Sequence, residues 1–232
     1  MNTTKQYKPV KIPKGVPLNR ILDDKARELY KPAIDKLAEL VPDAVGRKIP
    51  EANVQQGFIF DTVLRHVSRI KNPKILCVGS YEDTASMSLI AMGRDVEEID
   101  PSINCDLQTH FMKSTTIKGS YDVVFSTSVI EHVAQDAIFM AQVSALLKPG
   151  GIGIITCDFK EGWVLGEPKP AVDERFYTQH DLRERFLPIM SDCVLVDEPQ
   201  WDCPNPDFTF MGIYQYAFAT FVVKKTPRGV AK

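Results

Sequence analysis

A carboxylate about 20 residues after a glycine turn, at the end of the next strand, is placed to accept hydrogen bonds from ribose hydroxyls. Here Gly79 closes the apolar run Ile75-Leu76-Cys77-Val78, and Asp100 follows 21 positions later in Glu97-Glu98-Ile99-Asp100-Pro101. The turn carries Ser80, Tyr81, Glu82 and Asp83 rather than further glycines. Two acids there would repel a pyrophosphate and suit a ligand with a positive centre; alternatively Asp83 caps the helix that follows. Asp106 comes six residues after Asp100, too short an interval for a crossover helix, and its carboxylate could meet an adenine amino group or be a plain loop acid. His132, in Ser126-Thr127-Ser128-Val129-Ile130-Glu131-His132-Val133, is a candidate general base or a structural tie between loop and sheet. Arg175 could clamp a carboxylate or phosphate, and Trp163 and Tyr177 could stack on a ring or sugar. The alternative is loop packing, with a salt bridge such as Arg175 to Asp173.

Such side chains converge only if the elements beneath them form an open α/β sheet, where ligands bind beyond the carboxyl ends of the strands. The hydrophobic rhythm supplies one. Strands are predicted over 74–79, 95–99, 121–126, 152–157, 193–196 and 216–223, with helices over 84–92, 136–147 (Asp136 as a cap) and 176–188. Short apolar strands alternating with helices imply a parallel sheet covered on both faces, and the last two strands, joined without a helix, imply an antiparallel final strand. Ahead of the sheet, apolar positions from Ala26 to Val41 recur at helical spacing with a kink or break expected at Pro32. A second helix is predicted over 54–70. Residues 1–20 carry Lys5, Lys8, Lys11, Lys14 and Arg20 and no acid; this is an extended arm that is either a solvated tail or an anion contact.

The chain has 232 residues, 44% hydrophobic and 25% charged, with net charge −2. That fits one globular domain with a small extension and gives no overall pull towards nucleic acid or anionic membrane. The apolar runs are short of a membrane span, the start lacks the apolar core of a secretory signal, and five unpaired-looking cysteines fit a cytoplasmic protein.

The pieces ILCVGS, EEIDP, CDL, YDVVFSTSVIEHV and ALLKPGGIGIITCDF, in that order and spacing, resemble the class I S-adenosylmethionine-dependent methyltransferases of the small-molecule type. The resemblance implies a Rossmann-like seven-stranded α/β sheet of order 3-2-1-4-5-7-6 with strand seven antiparallel. It divides the chain into an N-terminal arm and helical lid (1–53) and a methyltransferase domain (54–232). It implies S-adenosylmethionine as cofactor, with Gly79, Ser80 and Tyr81 against its methionine part, Asp100 and Pro101 at the ribose, Asp106 and Leu107 at the adenine, and Ser126, Thr127 and Ser128 under the sulfonium. Asp158, after the fifth family strand, becomes a second candidate base beside His132. The motif of amino-group methyltransferases is absent after Phe125, and Glu131, His132 and Asp158 are not expected to hold a metal. The expected reaction is methyl transfer to a small-molecule or sugar hydroxyl, with surface-glycan biosynthesis as one setting. A non-catalytic binding protein of the same fold and an RNA methyltransferase using the basic arm are the alternatives.

Overall fold

The computed structural model describes residues 6–227; Lys5 of the arm lies outside them. Four parallel strands form the centre of the sheet: β1 (Ile75–Val78), β2 (Val96–Ile99), β3 (Tyr121–Thr127) and β4 (Leu147–Phe159). Three more follow, β5 (Cys193–Leu195), β6 (Phe208–Phe210) and β7 (Tyr214–Lys225). The order is β2-β1-β3-β4-β7-β5, with β6 pairing β7, and β7 runs antiparallel to β4 from Ile152↔Lys224 to Phe159↔Ala217. The expected Rossmann-like, seven-stranded sheet with an antiparallel last strand is thus present. Its seventh member differs: the six-strand path fills the family positions 2-1-4-5-7-6, and among the described residues no strand lies outside β2. Helix α5 (Leu107–Met112) occupies that stretch of chain, so β2 is an edge strand, with the charged Glu97 exposed along it, a side chain that discourages edge-to-edge pairing. β6 is one arm of a short hairpin within the segment read as lacking a helix.

Helices cover both faces. α1 (Asp24–Leu40), α3 (Asn53–Val67) and α4 (Thr84–Ala91) share one core with Val123, Phe125, Ile152 and Ile154. α6 (Asp136–Leu146) and the helical turns of residues 181–189 share the other with Leu76, Val124, Ile155 and Phe221. α1 starts where Asp23 accepts from the Ala26 N–H at 3.0 Å and runs through Pro32 without the expected break. Pro32 lies on the exposed face, so only one backbone bond is lost while Tyr30, Ala33 and Leu37 stay packed. α1 and α3 approach closely because residue 57 is glycine; a Cβ there would sit 2.8 Å from Ile34 Cγ1.

The arm is no solvated tail. Asp61, fully buried on α3, accepts from the Tyr7 hydroxyl and the Val10 N–H, each at 2.7 Å, and from Arg65 at 2.8 Å. Further along, Asn19 completes the edge of the sheet as a strand would: its amide donates to Val222 O at 3.0 Å and accepts from Val222 N at 2.6 Å. Lys8, Lys11 and Lys14 remain exposed outside this strap. Replacing Asp61 by Ala leaves a buried N–H and a guanidinium unpaired, a loss of about 2–4 kcal/mol. The expected outcome of D61A is a lower urea midpoint together with rapid tryptic cleavage at Lys11 and Lys14, whereas the unaltered arm resists cleavage.

Candidate active site

At the carboxyl ends of β1, β2 and β3 the chain leaves a two-lobed cleft. One lobe, about 510 Å³, lies under the N-terminal helices and is lined by Lys48, Asn53, Gln55, Gln56, Asp83 and Ser128, among others. The second, about 440 Å³, is more apolar, with Ile99, Leu107, Val129, Ile138 and Phe139 in its wall. Gly79, Asp100, Ser102, Val129 and His132 line both, so the lobes meet there.

The meeting point depends on Gly79. Its φ is +80°, and a Cβ built on it would lie 2.3 Å from Val129 Cγ2. No L side chain fits that backbone or that space. Its N–H donates to Ile99 O at 2.8 Å and ties the turn to the end of β2. There Asp100 is fixed by two backbone donors, Ser102 N to Oδ1 at 2.7 Å and Tyr81 N to Oδ2 at 3.2 Å. Each oxygen keeps a lone pair for a further donor.

The acids of the turn have partners. Asp83 caps α4 by accepting from Ser86 N at 2.7 Å, and its second oxygen accepts from Gln56 Nε2 at 3.1 Å while Gln56 Oε1 receives Ala85 N at 2.8 Å. Burial raises its pKa against these hydrogen bonds. Glu82 (φ +54°) pairs with Arg47 at 2.8 Å, so it is neutralised by the N-terminal helices rather than offered to a ligand. Asp106 caps α5 through Thr109 N at 2.6 Å, which lowers its pKa, and it lines the apolar lobe with Pro101 and Leu107. Tyr81, Thr127 and Ser128 line the polar lobe. Ser80 and Ser126 do not line the cleft; both are buried, with hydroxyls that make no hydrogen bond.

Ser128, at φ +53°, stands on strained backbone at the end of β3. Its N–H donates to Thr156 O at 3.2 Å, and its hydroxyl donates to Glu131 Oε1 at 2.6 Å. His132 Nδ1 lies 3.1 Å from Val172 O and 3.0 Å from Asp173 Oδ1. A carbonyl oxygen can only accept, so Nδ1 carries a proton. The Asp173 contact, against an opposing effect of burial, raises the pKa of His132 to about 9. A proton affinity raised that far favours the imidazolium at neutral pH and runs against the role of general base. Asp158 is buried and its pKa is pushed well up, first by burial and then by Glu131 and Asp173; it stands behind the two lobes and lines neither.

The three expected substrate residues have partners within the protein. Tyr177 is fully buried, and its hydroxyl donates to Ile130 O at 2.9 Å. Arg175 pairs with Asp181 at 2.7 Å, not Asp173, and its guanidinium stacks 5.1 Å from the Tyr177 ring. Trp163 is buried edge-on against Phe176 at 6.1 Å. Helix formation starts later than periodicity suggested because Thr178 and Asp181 form a reciprocal cap, Thr178 N to Asp181 Oδ2 at 3.0 Å and Asp181 N to Thr178 Oγ1 at 3.2 Å. Asp136 is likewise no cap: it is buried beneath Arg185 at 2.9 Å. The residues missed were the polar side chains of the first turns of α3 and the wall residues Val129, Ile138 and Phe139. For the latter the only signal was their position after β3.

A methyltransferase-domain family matches residues 86–155, the segment that contains β2, β3 and most of β4. The fold matches that of a 1,6-didemethyltoxoflavin-N1-methyltransferase of Burkholderia thailandensis with bound S-adenosylhomocysteine, over 94% of each chain, at TM-score 0.55 and 17% identity. The chain therefore has the class I methyltransferase fold and carries a methyltransferase-domain segment. Another similar fold is an arsenic(III) methyltransferase of Chlamydomonas reinhardtii, at TM-score 0.51 and 12% identity over 70% of this chain and 66% of that one. Among curated relatives are two proteins named ubiquinone biosynthesis O-methyltransferase. That of Azorhizobium caulinodans is 25% identical over 44% of this chain and 50% of its own length. That of Rickettsia canadensis is 28% identical over 49% and 55%. The chain thus spans about half the length of the curated relatives it matches. Amides and a carboxylate line one lobe, an apolar wall lines the other, and Asp100 stands where they join.

Two outcomes test this geometry. G79A should lose S-adenosylhomocysteine binding in calorimetry, and V129A added to it should restore only part, because the clash is relieved and the positive φ is not. His132 should titrate near pH 9 by NMR and fall towards about 6.5 in D173N. A raised folded-state pKa means that the stabilisation is complete below about pH 6.5 and is lost as pH rises through 9. The urea midpoint should therefore decline across that window, and D173N should flatten the decline.

Proposed function

We propose that the protein transfers a methyl group from S-adenosylmethionine to a hydroxyl of a small molecule. The observation that carries this is the two-lobed cleft joined at Asp100, with His132 held protonated on its wall. The cofactor supplies a methyl carbon activated by its sulfonium. Asp100 would accept from the ribose hydroxyls, Asp83 would face the amino-acid ammonium, Asp106 and Leu107 would frame the adenine, and Ser128 would border the reacting end. Gly79 keeps the turn close enough for both lobes to be filled at once. The N-terminal residues up to 53 act as a lid, since Lys48, Ile49, Ala52 and Asn53 form one side of the polar lobe.

An imidazolium beside the cleft favours an acceptor oxygen that carries negative charge. His132 Nε2–H would hold that oxygen in line with the methyl carbon, and alignment is the main requirement of such a displacement. The acceptor proton has a route through the Ser128 hydroxyl to Glu131, whose carboxylate has a raised proton affinity through burial. Asp158, coupled to Glu131, serves as the reservoir behind it rather than as a base on the substrate. Hydroxyls that ionise readily, such as phenols and enols, suit this arrangement better than sugar hydroxyls. A sugar acceptor of a glycan pathway is the narrower second reading, supported by the amides and hydroxyls of the polar lobe.

Calorimetric titration with S-adenosylhomocysteine should show one site, and D100A should abolish detectable binding; near-normal binding in D100A would mean the cofactor is held elsewhere. With a methyl-labelled donor and a panel of phenolic and sugar acceptors, H132Q should lower kcat by about 10–100-fold while changing cofactor affinity little. Cofactor binding with no transfer to either class would favour a non-catalytic binding protein. Saturable RNA affinity that is lost on removal of residues 1–20 would favour an RNA substrate.

A further inference from the structure

On the opposite end of the sheet from the cofactor cleft lies a cavity of about 670 Å³, between the last turns of α3 and the ends of β5 and β7. Its polar side is formed by Thr62, Arg65, His66, Arg69 and Lys224, and no acidic residue is among the described residues that line it. Its other wall is apolar, built by Leu18, Ile152, Val194 and Val222. Three polar atoms here are buried without a hydrogen-bond partner: Thr62 Oγ1, His66 Nε2 and Arg65 Nε. Thr62 itself is 1% exposed. Arg65 spends its terminal nitrogen on Asp61 and Val10 O, at 2.8 and 2.6 Å, which fixes the guanidinium and leaves Nε over. A native fold rarely leaves such groups unsatisfied without a use for them.

We propose that this cavity is a second ligand site, which takes a phosphate-type oxyanion. An oxyanion placed there would be neutralised by Arg69 and Lys224 at the mouth, with Arg65, His66 and Thr62 in the wall behind it. The apolar wall leaves room for a hydrocarbon body attached to the phosphate, so the ligand is either the free ion or an alkyl phosphate. Nothing in this site depends on methyl transfer, although α3 reaches from it to the cofactor cleft.

His66 reports on occupancy. Burial lowers its pKa, as do Lys224 and Lys148, with Asp122 opposing; Lys148 is itself paired with Asp122. Around it stand Arg65, paired with Asp61, and the exposed Arg69. The surroundings therefore keep the imidazole neutral until an anion arrives, and a bound anion raises its pKa.

The test is an NMR titration of the full chain at constant ionic strength, with His66 assigned by H66Q. Inorganic phosphate should shift the His66 ring signals saturably and raise its pKa, while chloride at equal ionic strength should not. R69E/K224E, two exposed positions, should weaken phosphate affinity by about tenfold or more and leave S-adenosylhomocysteine binding unchanged. T62V, which removes only the hydroxyl, should weaken it less. Hexyl phosphate decides the source: tighter binding than phosphate assigns an alkyl phosphate, equal binding the free ion. A non-saturable shift, the same shift with chloride, or an unaltered phosphate affinity in R69E/K224E would overturn the proposal.

Discussion

The contact between Gly79 and Val129 is the constraint on which the rest of the cleft depends. Two parallel strands, β1 and β3, lie side by side and end at the same level, so the turns that leave them compete for one space. The β1 turn yields, by having no side chain and a left-handed backbone. Val129 then stands between the two lobes as a common wall. Because Gly79 N donates to Ile99 O, the same turn fixes the end of β2 and with it the position of Asp100. One missing Cβ therefore sets the relation between the carboxylate, the apolar wall and the polar lobe.

α3 is the second organising element, and it defeats a simple amphipathic description. It is buried nearly all round, against the sheet, α1 and the arm. A helix covered on every side should be apolar throughout, yet Gln55, Gln56, Asp61 and Thr62 are among its buried residues. Gln56 ties down the turn after β1 and Asp61 binds the arm. The polar residues that cost most to bury are thus the ones that join the helix to parts of the chain distant in sequence.

Local signals were legible where physics is local. The strands appear within a few residues of their apolar runs, and the Asp-Pro and Asn-Pro stops fall at element ends. What was not legible depends on pairing across the chain. Arg175 is two residues from Asp173 but joins Asp181, because the Thr178–Asp181 cap turns that carboxylate towards it. Tyr177 has the composition of a stacking residue and the position of a core one, bridging Phe159 backbone to backbone. His132 reads as a base because its ordinary pKa lies near neutrality; the Asp173 beside it is 41 residues away in sequence and raises that pKa. The edge beyond β2 was misplaced because the fold's outer strand is marked by no apolar run of its own between Asp106 and Gly119.

The charge beneath the cleft favours the protonated form of that histidine. Glu131, Asp158 and Asp173 are all buried, and each has a carboxylate oxygen with no hydrogen-bond partner. Three carboxylates in one dry region cannot all ionise. Burial raises the proton affinity of Asp158 and Glu131, and His132 lies against Asp173. Ser128 connects Glu131 to the cleft. A cation in the cleft would favour the ionised form of Glu131 and Asp158, and its departure would favour the protonated form.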